Sequence, residues 1–311
     1  MKPVETTNGH AVNVHNLTRT FGKLQALHQV TLDVPRGIVY GLVGENGAGK
    51  TTLIRHLLGL YKAESGAVKV FGFDPALDPV AVLSRIGYLS EDRDLPDWMH
   101  VHEVIRYTSA FYPNWDHAHA EEMRKRFELD PKARTGSLSR GQRARLGLLL
   151  AQAHRPDLLL LDEPSSGLDP GARRDILEAV IRAAADEGRT VILSSHLLDE
   201  VERVCDRLAM IVGGKVALEG TTDDIKSAHQ SCTVWFPHST SNAPPIINGQ
   251  VATGTGGGSG EWNYIIDSTS ESFNAALQEH GSKIVDSRSA TLDEILMSRA
   301  ATARANKEAL S

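Results

Sequence analysis

IVYGLVGENGAGKTT, residues 38–52, decides how this chain is read. Its first half, Ile38 to Val43, is a short apolar run with β-branched residues, as expected of a buried strand. Its second half, Gly44-Glu45-Asn46-Gly47-Ala48-Gly49-Lys50-Thr51-Thr52, fits the phosphate-binding loop GxxxxGK[ST]. Glycines let backbone N–H groups converge on an anion, and a helix opening at the lysine adds the positive end of its dipole. Lys50 is then placed to reach β- and γ-phosphates, and the Thr51 hydroxyl suits Mg²⁺. The motif needs a strand before it and a helix after it, and the pattern predicts both, the helix over Lys50 to Leu60.

Outward from this loop, strands are expected at Val12 to Leu17, Leu27 to Val34, Ala67 to Phe71, Arg85 to Leu89, Leu158 to Leu161 and Thr190 to Ser194. Helical patterns cover Trp98 to Leu129 with a break at Pro113, Ser139 to about His154, Arg173 to Glu187, and His196 to Cys205. Strands alternating with helices imply an α/β fold with a mostly parallel sheet covered on both faces. The run Leu158 to Leu161 ends in Asp162 and Glu163. Neighbours on a strand point to opposite sides, so one acid can serve Mg²⁺ while the other faces the attacking water, a division that nucleotide hydrolysis requires. Ser139 and Gln142 have the spacing of a capping box, with Ser139 as the N-cap.

The chain has 311 residues, with 33 Lys+Arg against 39 Asp+Glu, a formal charge of −6. That acidic balance argues against a broad nucleic-acid surface, and 41% hydrophobic residues suffice for a core. Two cysteines, Cys205 and Cys232, imply no disulfide framework and a reducing cytosol. No apolar run reaches the length that spans a bilayer, and the polar N-terminus lacks a signal-peptide core. A chain that reaches membranes only through a partner is the expectation.

Composition shifts after about residue 222, with Pro244-Pro245 and a glycine-rich stretch at 254–260. Strands at Thr233 to Phe236, Trp262 to Ile266 and near Ile284, a helix at Glu271 to Glu279, and a last helix opening at Thr291 to Glu294 suggest a small α+β appendage. The expected division is therefore 10–222, with a helical subdomain at about 92–155, and 223–311. His100, His102, His117 and His119 cluster without a Cys or acidic partner at ligand spacing. Arg140, Arg143 and Arg145 read as a solvated helix face. Trp98 and Met99 read either as exposed anchors for a membrane partner or as core.

The loop at 44–52, LSRGQ at 138–142, LLLLDEP at 158–164, SGLD at 166–169 and His196 occur in the order of an ATP-binding cassette (ABC) ATPase. Over roughly residues 12 to 220 the chain resembles that family. The resemblance implies a P-loop NTPase core, ATP and Mg²⁺ as ligands, and a head-to-tail dimer in which the loop of one protomer faces the signature helix of the other. By resemblance, the 44–52 backbone, Lys50 and Thr51 hold phosphates and Mg²⁺, and Asp162 is the magnesium-side carboxylate. Glu163 would be the general base and His196 the γ-phosphate switch. Ser139 and Gly141, flanked by Arg140 and Gln142, would contact ATP across the dimer, Asp169 would link the two sites, and Phe21 would lie against adenine.

Two positions depart from the family pattern. Arg140 stands where glycine is commonest, and Glu91 stands where glutamine is usual and touches Mg²⁺. TLDEIL at 291–296 and FYPNWD at 111–116 are most similar to ATPase subunits of ABC-2-type exporters. That likeness implies a place on the inner face of the cell membrane, held there by a separate permease, and the presence of both half-sites in one chain favours a homodimer. In the family, the segment after Glu91 receives the membrane subunit. The competing expectation is a soluble ABC ATPase acting on ribosomes or DNA, against which stand the single motif set and the acidic balance.

Overall fold

The computed structural model describes residues 9–185, 188–237, 246, 247, 250, 260–267 and 271–309; Pro244, Pro245 and residues 254–259 of the glycine-rich stretch lie outside the described residues. The first two strands, β1 (His10–Phe21) and β2 (Leu24–Pro35), pair antiparallel, and β4 (Ser65–Val70) joins the other edge of β1. These three strands form an antiparallel sheet separate from the expected mostly parallel one. Phe21 pairs with Leu24 across Gly22 and Lys23, and a two-residue connection can join strands only antiparallel.

The mostly parallel sheet is the second one. It has six strands in the order β5-β6-β7-β3-β8-β9, where β3 is Val39–Val43, β5 Ile86–Leu89, β6 Leu158–Asp162, β7 Thr190–Ser195, β8 Arg207–Val212 and β9 Lys215–Thr221. Strands β3, β6 and β7 are buried along their whole length, which is why their sequences run apolar without alternation. Helix α1 (Lys50–Leu57) packs Leu53, Ile54 and Leu57 into one core with Leu42, Leu158 and Ile192 of this sheet and with Val12, Val14 and Leu17 of β1.

Helix boundaries differ from expectation for local reasons. α1 stops at Leu57, short of Leu60, because Gly59 turns at φ 71 with Pro75 O filling the space a Cβ would need. The stretch expected to be helical from 98 to 129 forms α3 (Val101–Ser109) and α4 (His117–Arg126), and a short α2 (Pro79–Leu83) precedes them. α5 (Arg140–Gln152) begins after Ser139, as its capping box requires. α6 (Pro170–Ala185) begins three residues before the expected Arg173. Asp169 Oδ1 accepts the amides of Gly171 and Ala172, and proline is well suited to a first turn. α7 (Leu198–Val204) leaves His196 in the preceding loop.

A second unit begins at Ala217, inside β9; composition placed the junction near 222. After α8 (Thr222–Ser227) come β10 (His229–Trp235), β11 (Glu261–Asp267), α9 (Glu271–Glu279), β12 (Lys283–Ser289) and α10 (Leu292–Ala309). The antiparallel sheet β11-β10-β12 packs Val234, Tyr264 and Ile266 against Phe273 and Leu277 of α9. Thr291 and Glu294 exchange the two bonds of a capping box at the start of α10. Among the described residues no helix is long and apolar enough to cross a membrane.

Candidate active site

The loop after β3 gains its shape from glycines in conformations other residues resist. Gly47 and Gly49 have φ of 80° and 113°. A Cβ on Gly49 would sit 2.6 Å from Ala26 O, and one on Gly44 would sit 2.4 Å from Ile211 O. The backbone therefore packs against β2 and β8 more closely than a side chain permits. Lys50, the first residue of α1, is buried, and its Nζ donates to Gly44 O at 2.7 Å. The same Nζ lies 3.1 Å from Glu163 Oε1. Residues 45–52, Phe21, Glu91 and Glu163 line one cavity of about 300 Å³. Phe21 is not core: it is 37% exposed, with Tyr61 edge-on at 5.4 Å and the Arg19 guanidinium 4.7 Å from its ring centre.

Asp162 and Glu163 are both buried at the carboxyl end of β6, but strand alternation is not what separates them. Asp162 ends the strand, and its Oδ1 accepts a 2.6 Å bond from Ser194 Oγ on β7. Glu163 lies beyond the strand with φ 46°, in the left-handed region, and its amide donates to the same Ser194 Oγ at 2.9 Å. That turn, rather than a pleat, aims the two acids apart. Glu163 Oε2 lies 2.7 Å from His196 Nδ1, so Lys50, Glu163 and His196 form a continuous chain. Thr51 and Asp162 are hard oxygen donors, and Ser194 occupies only one of the Asp162 oxygens, so the set fits Mg²⁺.

The signature residues lie elsewhere. Ser139 accepts the Gln142 amide at 3.2 Å, and Gln142 Oε1 accepts the Ser139 amide at 3.0 Å. A Cβ on Gly141 would sit 2.7 Å from Ala172 Cβ, so α5 and α6 touch there. The amides of Ala172 and Gly171 hold the Asp169 carboxyl below the usual range. None of residues 139–142 or Asp169 lines the phosphate-loop cavity. Arg140 lies beside Gly167, and Arg143 and Arg145 pair with Asp97 and Asp175, so this is a bridged surface and not a merely solvated one.

Sequence reasoning missed several residues that hold this site. Ser194 binds both acids; its only signal is a Ser-Ser pair ahead of His196. Glu200 is buried, bonded to Ser165 and paired with Arg173 at 3.1 Å, and burial pushes its carboxyl up. Arg93 contacts the turn after Glu163. Nearby, an apolar groove of about 470 Å³ runs between the end of α1 and helices α3 and α5, with Leu60, Leu83, Tyr88, Pro96 and Tyr107 among its walls. Trp98 stands 73% exposed, whereas Met99 is buried. His100 Nδ1 lies 2.9 Å from Glu103, and His102 Nδ1 lies 2.7 Å from Pro131 O. Among the described residues no three His, Cys, Asp or Glu form a metal ligand set.

A model of the ABC transporter family matches residues 27–166. The chain is 36% identical over 233 residues to a daunorubicin/doxorubicin resistance ATP-binding protein of Streptomyces peucetius, covering 72% of this chain and 69% of that one. It is 34% identical to the ABC transporter ATP-binding protein NatA of Bacillus subtilis, covering 67% of this chain and 87% of that one. A solved ATP-binding subunit of an ABC transporter superposes with a TM-score of 0.64 at 30% identity, over 70% of this chain and 92% of that chain.

Proposed function

The chain belongs to the ABC transporter ATP-binding proteins, subunits that bind and hydrolyse ATP to drive transport, and we propose that it powers an exporter as a head-to-tail homodimer. The observation that carries the reading is the chain from Lys50 Nζ through the Glu163 carboxylate to His196 Nδ1, at 3.1 and 2.7 Å, beside the phosphate loop. A γ-phosphate in the loop would replace Glu163 as the counter-charge of Lys50. Glu163, released on that side and still bonded to His196 on the other, then takes a proton from the attacking water. Thr51 and Asp162 would hold Mg²⁺, with Glu91 at the cavity rim. The ion would neutralise charge on the phosphates. Phe21 would stack on adenine.

Ser139 and Gly141 lie away from their own chain's loop, which supports their service to ATP on a second protomer, with Asp169 beside them. The apolar groove and exposed Trp98 support docking of a short helix from an ABC-2-type permease, and with it a station on the inner face of the membrane. The drug-resistance name of the Streptomyces relative supports the exporter direction. Action on ribosomes or DNA is not favoured, since these relatives are named as resistance or transporter ATP-binding proteins. The test is Glu163→Gln. It should keep ATP affinity while hydrolysis falls by about 10²-fold or more; hydrolysis at the normal rate would overturn the assignment of the base.

A further inference from the structure

Arg93 lies between β5 and α3, two residues past Glu91, and no motif of the chain includes it. Its side chain is turned inward, 9% exposed, onto the turn that follows Glu163. Nη2 lies 2.9 Å from Pro164 O, 2.9 Å from Ser166 O and 3.4 Å from Glu163 O. These carbonyls come from three of four successive residues, 163 to 166, and a guanidinium is the side chain best able to serve such a set. The residue it surrounds is strained: Glu163 is a non-glycine at φ 46°. Such conformations persist only where the surroundings over-determine them. Ser194 fixes the amide side of Glu163, through Oγ at 2.9 Å and O at 3.2 Å. On the carbonyl side, Glu163 O accepts the Ser166 amide at 3.2 Å, and the side chain that reaches it is that of Arg93.

We propose that Arg93 is a positioning residue for the Glu163 carboxylate. By gathering the carbonyls of Glu163, Pro164 and Ser166, its guanidinium keeps Glu163 in the left-handed turn that points it at Lys50 and His196. Without those bonds the peptide after Glu163 rotates, and the carboxylate leaves the line between Lys50 and His196. Arg93 touches neither loop nor phosphate site, so nucleotide affinity does not depend on it. The inference rests on Glu163 being the general base.

The experiment compares the full chain with Arg93→Met, which keeps the stem and loses the donors, and Arg93→Lys, which keeps a donor. Hydrogen exchange is read without nucleotide on peptides spanning 163–168, and ATP hydrolysis is read as kcat and KM on folded protein. For Arg93→Met, exchange in 163–168 should rise about tenfold or more while β6 and β7 stay protected. Its kcat should fall about tenfold or more with KM within about twofold, and Arg93→Lys should recover part of both. Unchanged exchange, unchanged kcat per folded molecule, or a Lys variant no better than Met would each overturn the proposal. If Arg93→Met does not fold, Arg93→Gln is read by the same criteria. If the wild-type chain fails to hydrolyse ATP, the reading of Glu163 fails, while the exchange data still decide whether Arg93 holds the turn.

Discussion

At the scale of single residues, spacing and close contact decide more than residue class. Gly141 is an example: its missing Cβ is what lets α5 approach Ala172 and Asp169. Gly141→Ala places a methyl 2.7 Å from Ala172 Cβ, and overpacking of this kind costs about 1–3 kcal/mol. Urea unfolding should show that loss, and an unchanged midpoint would mean that α5 and α6 have slack. His154 gives a pH signature. Its ring is buried, stacked on Tyr112 at 3.9 Å, with Nε2 3.0 Å from Ile86 O, and burial pulls its pKa down to about 4. An unfolded histidine protonates near pH 6.5, so as pH falls from 6.5 towards 4 the unfolded state takes up the proton first. The stability present above pH 6.5 is thus lost on acidification, by about 2 kcal/mol between pH 7 and pH 5. Unfolding midpoints of wild type and His154→Gln at the two pH values check this, since the variant should lose most of that difference.

At the scale of elements, what could be read in the sequence was whatever depends on near neighbours. The phosphate loop, the apolar β6 and the caps at Ser139 and Thr291 are local chemistry, and their residues announce them. Arg93 and Ser194 are not local, because they bind residues about 70 and 32 positions along the chain. Trp98 and Met99 show the same limit, since composition treats them alike while the fold exposes one and buries the other. The exposure of Trp98 removes the core reading and sharpens its test. Trp98→Ala should leave the melting temperature of the isolated chain within about 1 °C, because little buried surface is lost, yet weaken capture of the permease. Intact capture would show that Trp98 takes no part in docking. Ser139→Ala removes the N-cap acceptor of α5 and should cost about 1 kcal/mol in urea unfolding.

At the scale of the whole molecule, one chain holds every part of a hydrolytic site but not in one place. Phe21, residues 45–52, Glu91 and Glu163 share a cavity, and Ser139 to Gln142 do not. A head-to-tail dimer would unite them, and mixing two inactive chains tests it. Lys50→Ala spoils only the loop, and Ser139→Arg spoils only the signature that a partner would use. In a heterodimer of the two, the intact loop of the Ser139 variant meets the intact signature of the Lys50 variant, while the opposite site carries both lesions. With random pairing of equal amounts, half the dimers are mixed and each has one of two sites whole, so about a quarter of wild-type hydrolysis should return. Each variant alone should be nearly inactive. A mixture no more active than its components, although Glu163→Gln with ATP elutes as a dimer, would mean that neither site fires alone. Glu163→Gln remaining monomeric at saturating ATP would sink the dimer itself.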